Sequence, residues 1–199
     1  MKYILSVITA GLLFTACHQN AQSSTTSTAS KDSLAEQDFF PVAEYIGGQL
    51  TLILDTFRFP LTKTITVNGK SNLSSAADQE LRNWAEGFRK PDINDSSLRT
   101  FYKETSIADQ SNGSVTLEYT TANSTLPVKK VEVYIQADPV QNDKVTGIYM
   151  EKAFSLGDTS CSQKLYWKTG KNMQVFTEKK IKDKVLPIEQ VKIAWDGSE

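Results

Sequence analysis

The chain has 199 residues, with 22 Lys and Arg against 23 Asp and Glu and a formal net charge of −1. This balance leaves no cluster of cations with which to grip DNA or RNA, and a single histidine cannot supply a zinc cluster. The length suits one modest domain with room for a real core.

Met1 to Cys17 opens with Lys2, continues as an apolar run from Tyr3 to Phe14, and ends in Thr15 and Ala16 before the first cysteine. About a dozen apolar residues are too few to span a bilayer about 30 Å thick, so residues 1–16 are expected to be a secretory leader. Leu13-Phe14-Thr15-Ala16-Cys17 resembles a bacterial lipobox, with Phe14 standing where Leu is usual. The resemblance implies a lipid anchor, with palmitate or similar acyl chains on Cys17, which becomes the new N-terminus. Each buried acyl methylene contributes about 0.8 kcal/mol, so several chains hold a protein stably in a membrane. With Cys17 acylated, Cys161 has no partner for a disulfide. By the same resemblance, the lack of Asp after Cys17 and of acidic residues in His18-Gln19-Asn20-Ala21-Gln22 implies the outer membrane, facing the periplasm.

Residues 17–37 are the acylated cysteine and a Ser/Thr-rich tether with almost nothing apolar to bury. About twenty such residues reach roughly 70 Å when extended and about 25 Å on average as a flexible coil. Within it, Asp32-Ser33-Leu34 resembles a short acceptor motif for O-glycosylation in Bacteroidota.

Residues 38–199 form the single folded domain. Phe39, Val42, Ala43, Ile46, Leu50, Ile53, Leu54 and Phe57 recur at helical spacing, which predicts one amphipathic helix that Asp38 caps and Pro41 opens. Gly47-Gly48 costs about 2 kcal/mol of helix propensity relative to two alanines, so a bend or a close approach by another element is expected there. Thr62 to Val67 reads as a strand ending in an Asn68-Gly69 turn. Ala76 to Phe88 reads as a second helix, capped by Ser74 or Ser75 and stopped at Lys90-Pro91. A short helical turn is expected around Asp95 to Phe101.

From there strands dominate: Tyr102 to Ala108, Val115 to Thr121, Lys129 to Ala137, Lys144 to Phe154, Gln163 to Lys168, Met173 to Lys180 and Ile188 to Trp195. Their short connections leave no room for parallel crossovers, so the strands form an antiparallel meander. The fold class expected is α+β: N-terminal helices packed on one face of a curved antiparallel sheet of about six or seven strands. Parity separates two faces. One carries Val115, Leu117, Tyr119, Val131, Val133, Ile135, Leu165, Trp167, Met173, Val175, Val191, Ile193 and Trp195. The other carries Glu118, Glu132, Tyr134, Lys164, Tyr166, Lys168, Phe176, Glu178 and Lys192. On it, Glu178 is expected to pair with Lys164 or Lys168, and Tyr134, Tyr166 and Phe176, with Lys164 and Lys168, form a candidate binding face.

No catalytic site is expected. His18 is the only histidine and stands in the tether beside Cys17, which removes Ser-His-Asp and Cys-His arrangements from the domain. Gly47-Gly48 lies in a helical pattern, not in a phosphate-cradling loop. Glu118, Glu132, Glu151 and Glu178 are the carboxylates a glycoside hydrolase would need in facing pairs, and their scatter on strand surfaces reads as solvation. Neither a metal nor a cofactor is expected.

Phe39-Phe40-Pro41-Val42, Tyr102-Lys103-Glu104-Thr105-Ser106-Ile107-Ala108-Asp109-Gln110, Val131-Glu132-Val133-Tyr134-Ile135 and Lys164-Leu165-Tyr166-Trp167-Lys168 resemble stretches of small outer-membrane lipoproteins of Bacteroidota. That resemblance implies a location and no activity. The function expected is a non-catalytic, lipid-anchored protein that binds an envelope protein partner through its sheet. The alternative is a carrier or sensor of an apolar small molecule held between helices and sheet.

Overall fold

The structure is a computed structural model and describes residues 39–137, 143–182 and 184–195. Cys17, the tether, Asp32-Ser33-Leu34 and Asp38 lie outside these residues.

Helix α1 (Val42–Leu50) starts directly after Pro41 and runs into a π-helical turn, Thr51–Thr56. Val42, Ile46, Leu50, Ile53 and Leu54 are buried on the predicted stripe, but Phe57 is 61% exposed. In the π-helical turn the Phe57 N–H reaches back five residues to the Leu52 carbonyl, at 2.9 Å. The wider turn falls behind the 3.6-residue period, and Phe57 rotates away from the core. Close approach does not explain Gly47 and Gly48, because a Cβ built on either meets nothing within 4 Å.

Strand β1 (Thr62–Val67) turns through Asn68 (φ 53°) and Gly69 (φ 73°) into β2 (Lys70–Ser75). Two consecutive positive φ angles are what a tight hairpin turn demands, and Asn and Gly tolerate them best. Helix α2 (Asp78–Arg89) follows, with the Glu80 carboxylate accepting the Ala77 N–H at 3.0 Å. Asp95 caps the four-residue α3 (Ser96–Arg99) by accepting the Ser97 N–H at 2.9 Å.

The remaining strands are β3 (Lys103–Asp109), β4 (Ser114–Thr120), β5 (Val128–Gln136), β6 (Lys144–Leu156), β7 (Thr159–Lys168), β8 (Asn172–Ile181), β9 (Lys184–Val185) and β10 (Glu189–Ala194). All pair antiparallel in the order β2-β1-β10-β8-β7-β6-β5-β4-β3, with β9 on the free flank of β8. This overturns the α+β expectation. The protein is mostly β, one sheet of ten antiparallel strands, with three short α-helices among the described residues. Two things enlarge the sheet. Asn68-Gly69 makes a full hairpin of what read as the approach to a helix, and β10 returns to pair with β1, so that the N-terminal hairpin extends the C-terminal strands.

One apolar cluster joins α1, the π-helical turn and α2 to the inner face of the sheet. Phe88 of α2 meets Trp167 of β7 edge-on at 5.7 Å, and Trp167 lies 5.1 Å from Trp195. Gly87 lets the helix sit close: a Cβ there would come within 3.0 Å of Leu165 Cδ2. The Phe40 N–H donates to the Tyr119 hydroxyl at 3.0 Å, tying the start of the domain to β4. Among the described residues, one charged side chain is buried on this face. Lys152 is buried, and its ammonium donates to the Gly87 carbonyl at 2.8 Å and the Lys90 carbonyl at 2.6 Å, at the C-terminal end of α2. Those carbonyls have no partner within a helix, and the dipole there favours a cation.

Candidate binding face

Along β7, Leu165 and Trp167 point into the core while Lys164, Tyr166 and Lys168 are exposed. The register carries this alternation across the neighbouring strands in three adjacent rungs on the outer face. In the first, Tyr134 of β5 stands opposite Gly147 of β6, which stands opposite Lys168. In the second, Glu118, Glu132, Tyr149, Tyr166 and Gln174 follow one another from β4 to β8. In the third, Lys130, Glu151, Lys164 and Phe176 do the same from β5 to β8. Directly opposed side chains are about 5 Å apart, so Tyr134, Lys164, Tyr166, Lys168 and Phe176 share one continuous patch.

The backbone beside Gly147 requires a glycine: a Cβ there would come 2.9 Å from the Trp167 carbonyl oxygen, with the Tyr134 ring at ordinary contact distance, 3.6 Å from Cδ2. The next rung holds a ring pair, Tyr149 with Tyr166, at 5.0 Å and 49°. Such tilted pairs add about 0.5–1.5 kcal/mol beyond burial.

Charge on this patch is divided. Over β4 to β6 it is internally paired: Lys130 Nζ sits 2.7 Å from Glu118 and 2.6 Å from Glu132. The Tyr134 hydroxyl donates to the second oxygen of Glu132, and the Tyr149 hydroxyl donates to Glu151 at 2.5 Å. Bonds from Glu118 and Glu132 raise the Lys130 ammonium above its ordinary value. Burial alone pushes Glu132 up, but the bonds from Lys130 and Tyr134 together outweigh it and the carboxyl lies below its ordinary value. Burial first, then the neighbouring carboxylates, raises Tyr134 and Tyr149. A catalytic tyrosine needs its pKa brought down toward the working pH; here the hydroxyls stay protonated and donate. Glu118 and Glu132 stand directly opposite, as like charges, only because Lys130 lies between them.

Over β7 to β10 the patch is open. Lys164 and Phe176, with Ser162, Glu178 and Ile188, outline a depression of about 270 Å³ on the outer surface. Tyr134, Tyr166 and Lys168 lie on the rungs beside it. The expected Glu178 pairing with Lys164 or Lys168 is not what the register favours, since Glu178 stands opposite Ser162 and Lys164 opposite Phe176. Gln190 donates to Gln174 at 3.1 Å, and Gln174 to Asn172 at 3.1 Å, closing this side with amides in place of charges.

No protein-family model matches the chain, and no curated protein matches it. The face is therefore read from its own chemistry. Of its members, Lys130 and Tyr149 escape the sequence reading, and Glu151 enters it only as a scattered strand carboxylate. Strict alternation through Ile148-Tyr149-Met150-Glu151 was the available signal for Tyr149 and Glu151. Register shifts between Val128 and Lys130 and between Tyr134 and Ile135 offset the strands there, so pattern alone does not place them against β5. Among the described residues, no three His, Cys, Asp or Glu side chains group so as to hold a metal, and no helix is long and apolar enough to cross a membrane. Cys161 is buried as a free thiol, opposite Phe154 and Lys179. A larger, open cleft of about 810 Å³ lies at that end of the sheet, between the 121–127 loop and the 153–161 hairpin.

Proposed function

We propose that this protein is a non-catalytic lipoprotein of the kind found in Bacteroidota, anchored through acylated Cys17 in the outer membrane and facing the periplasm, and that its outer sheet face binds an envelope protein partner. The observation that carries the reading is Tyr166. Its ring pairs with Tyr149, yet it remains 43% exposed, beside the Lys164-Phe176-Ile188 depression. Aromatic side chains held rigid at the centre of a patch are among the residues that dominate protein–protein affinity, and cations at its rim steer association and select the partner. Lys164 and Lys168 suit a partner surface carrying carboxylates. Glu118, Glu132 and Glu151 are taken up by Lys130 and the tyrosine hydroxyls and hold the rings in place, while Glu178 stands at the edge of the depression.

The carrier alternative is the weaker reading, because Phe88, Trp167 and Trp195 occupy the space between α2 and the sheet where an apolar ligand would sit. The test has two arms. A photo-crosslinker at position 164, introduced in the native envelope, is expected to capture one protein, and Tyr166→Ala with Phe176→Ala is expected to abolish that capture. Capture unaffected by the double variant sinks the face. Metabolic labelling with a palmitate analogue is expected to tag the wild type and not Cys17→Ser; an untagged wild type sinks the anchor.

A further inference from the structure

The strand order leaves two open edges, β2 and β3. Among the described residues, no strand lies beyond either, so each presents a row of backbone N–H and C=O groups that is a template for another strand. We infer that β3 pairs antiparallel with β3 of a second copy of this chain, joining two sheets across a twofold axis at Ser106.

All seven residues of β3 are exposed. Its pairing with β4 sets Lys103 opposite Thr120, Ile107 opposite Thr116 and Asp109 opposite Ser114, which puts Lys103, Thr105, Ile107 and Asp109 on the outer face. Glu104, opposite Tyr119, lies with Ser106 and Ala108 on the inner face. A twofold axis perpendicular to the sheet keeps each residue on its own face, so paired residues must differ by an even number. Centring the axis on Ser106 overlaps the whole strand. Lys103 then meets Asp109 of the second copy, Thr105 meets Ile107, Glu104 meets Ala108, and Ser106 meets its own equivalent. Two opposite-charge pairs close the ends, two Thr-Ile pairs cover Ile107, which is 55% exposed in one copy, and no like charges face each other.

Neighbouring registers lose this match. Centred on Thr105, Lys103 faces Ile107; centred on Ile107, it faces Ser111, past the end of the strand. The other edge offers nothing comparable. Lys70 is the only charged residue of β2, so β2 paired with itself gains no ion pair. The β3 edge is two strands from Tyr134 and four from Tyr166, about 10 and 19 Å, and the second copy extends the sheet in its own plane, so this pairing does not use the Tyr166 face and does not rest on it.

One strand pair is a small interface, so the association is weak and the experiment uses high concentration. The full chain in mild detergent, followed by analytical ultracentrifugation up to about 0.5 mM, is expected to show a reversible monomer–dimer equilibrium. Lys103→Asp turns both charge pairs repulsive and is expected to weaken the dimer about tenfold or more. Mixing Lys103→Asp with Asp109→Lys makes one strand wholly acidic and the other wholly basic at those positions, and is expected to restore association as a heterodimer. Ser106→Cys is expected to form a disulfide-linked dimer on oxidation, above the background that Cys161 gives in the wild type and above Thr105→Cys. A mass that stays monomeric at every concentration, or grows past two copies, overturns the proposal, as does Ser106→Cys cross-linking no stronger than wild type.

Discussion

On β7 the inner and outer faces of the sheet stand side by side in five consecutive residues, Lys164-Leu165-Tyr166-Trp167-Lys168. Leu165 and Trp167 are buried against α2, held by shape: a glycine in the helix, an edge-on Phe88 and a second tryptophan. Tyr166 is held by its ring contact with Tyr149 across the strands, and it and its flanking lysines remain open to solvent. The difference teaches where each kind of change is felt. The inner face answers to volume and stability; the outer face, on the function proposed, answers to recognition with little effect on folding.

Three substitutions break or sharpen that contrast. Trp167→Ala removes the largest buried side chain at the centre of the core and is expected to cost about 3–5 kcal/mol in urea unfolding. A loss under about 1 kcal/mol would mean that the two faces do not differ as described.

Lys152 is the buried charge on the inner face, a cation among apolar side chains. Lys152→Met leaves the Gly87 and Lys90 carbonyls without their donor and is expected to destabilise by about 1–3 kcal/mol. Burial lowers the Lys152 pKa below 10.5. Between the lowered folded value and the unfolded one, the unfolded chain binds more protons, so stability rises with pH through that interval. The neutral amine keeps two N–H donors, enough for both carbonyls. Wild type minus Lys152→Met is therefore expected to grow in favour of wild type as pH climbs toward 10.5. A difference flat or falling over that range would mean the ammonium is not desolvated.

Tyr166→Ala is the smallest expected effect on folding, within about 0.5 kcal/mol by thermal melting, because the side chain is largely outside the core. A melting temperature lowered as far as by Trp167→Ala would assign Tyr166 to the core and remove it from the binding face.

Much of the local structure was legible in the residues. β1 stands where Thr62 to Val67 alternates, and α2 overlaps the span read as the second helix and buries Leu81, Ala85 and Phe88. The apolar parity of β4, β5, β7, β8 and β10 marks the face that the helices cover. The misses have identifiable causes. Lys70 to Ser75 carries one apolar residue, Leu73, so no pattern announces β2; backbone pairing to β1 alone makes it a strand. Lys182, at φ 52°, permits the turn into the two-residue β9, too short for any periodicity. The first helix changes to π-helical bonding at Thr51, which the even spacing of Ile53, Leu54 and Phe57 does not reveal. Lys152 read as one more strand lysine, because what accepts its protons is the end of a helix more than sixty residues earlier.

On the candidate face, the sequence was enough to put Tyr134, Lys164, Tyr166, Lys168 and Phe176 on the same side of their strands, because side-chain alternation is a property of each strand alone. It was not enough to say that Lys130 separates Glu118 from Glu132, or that Tyr149 stacks on Tyr166. Those contacts depend on which strands are neighbours and on two register shifts within one pair. By itself, then, the sequence determined the local period and the faces it creates. Only the tertiary structure decided the strand order, the ten-strand width and the two exposed edges, since these follow from pairings between distant parts of the chain, β1 with β10 above all, that no local pattern encodes.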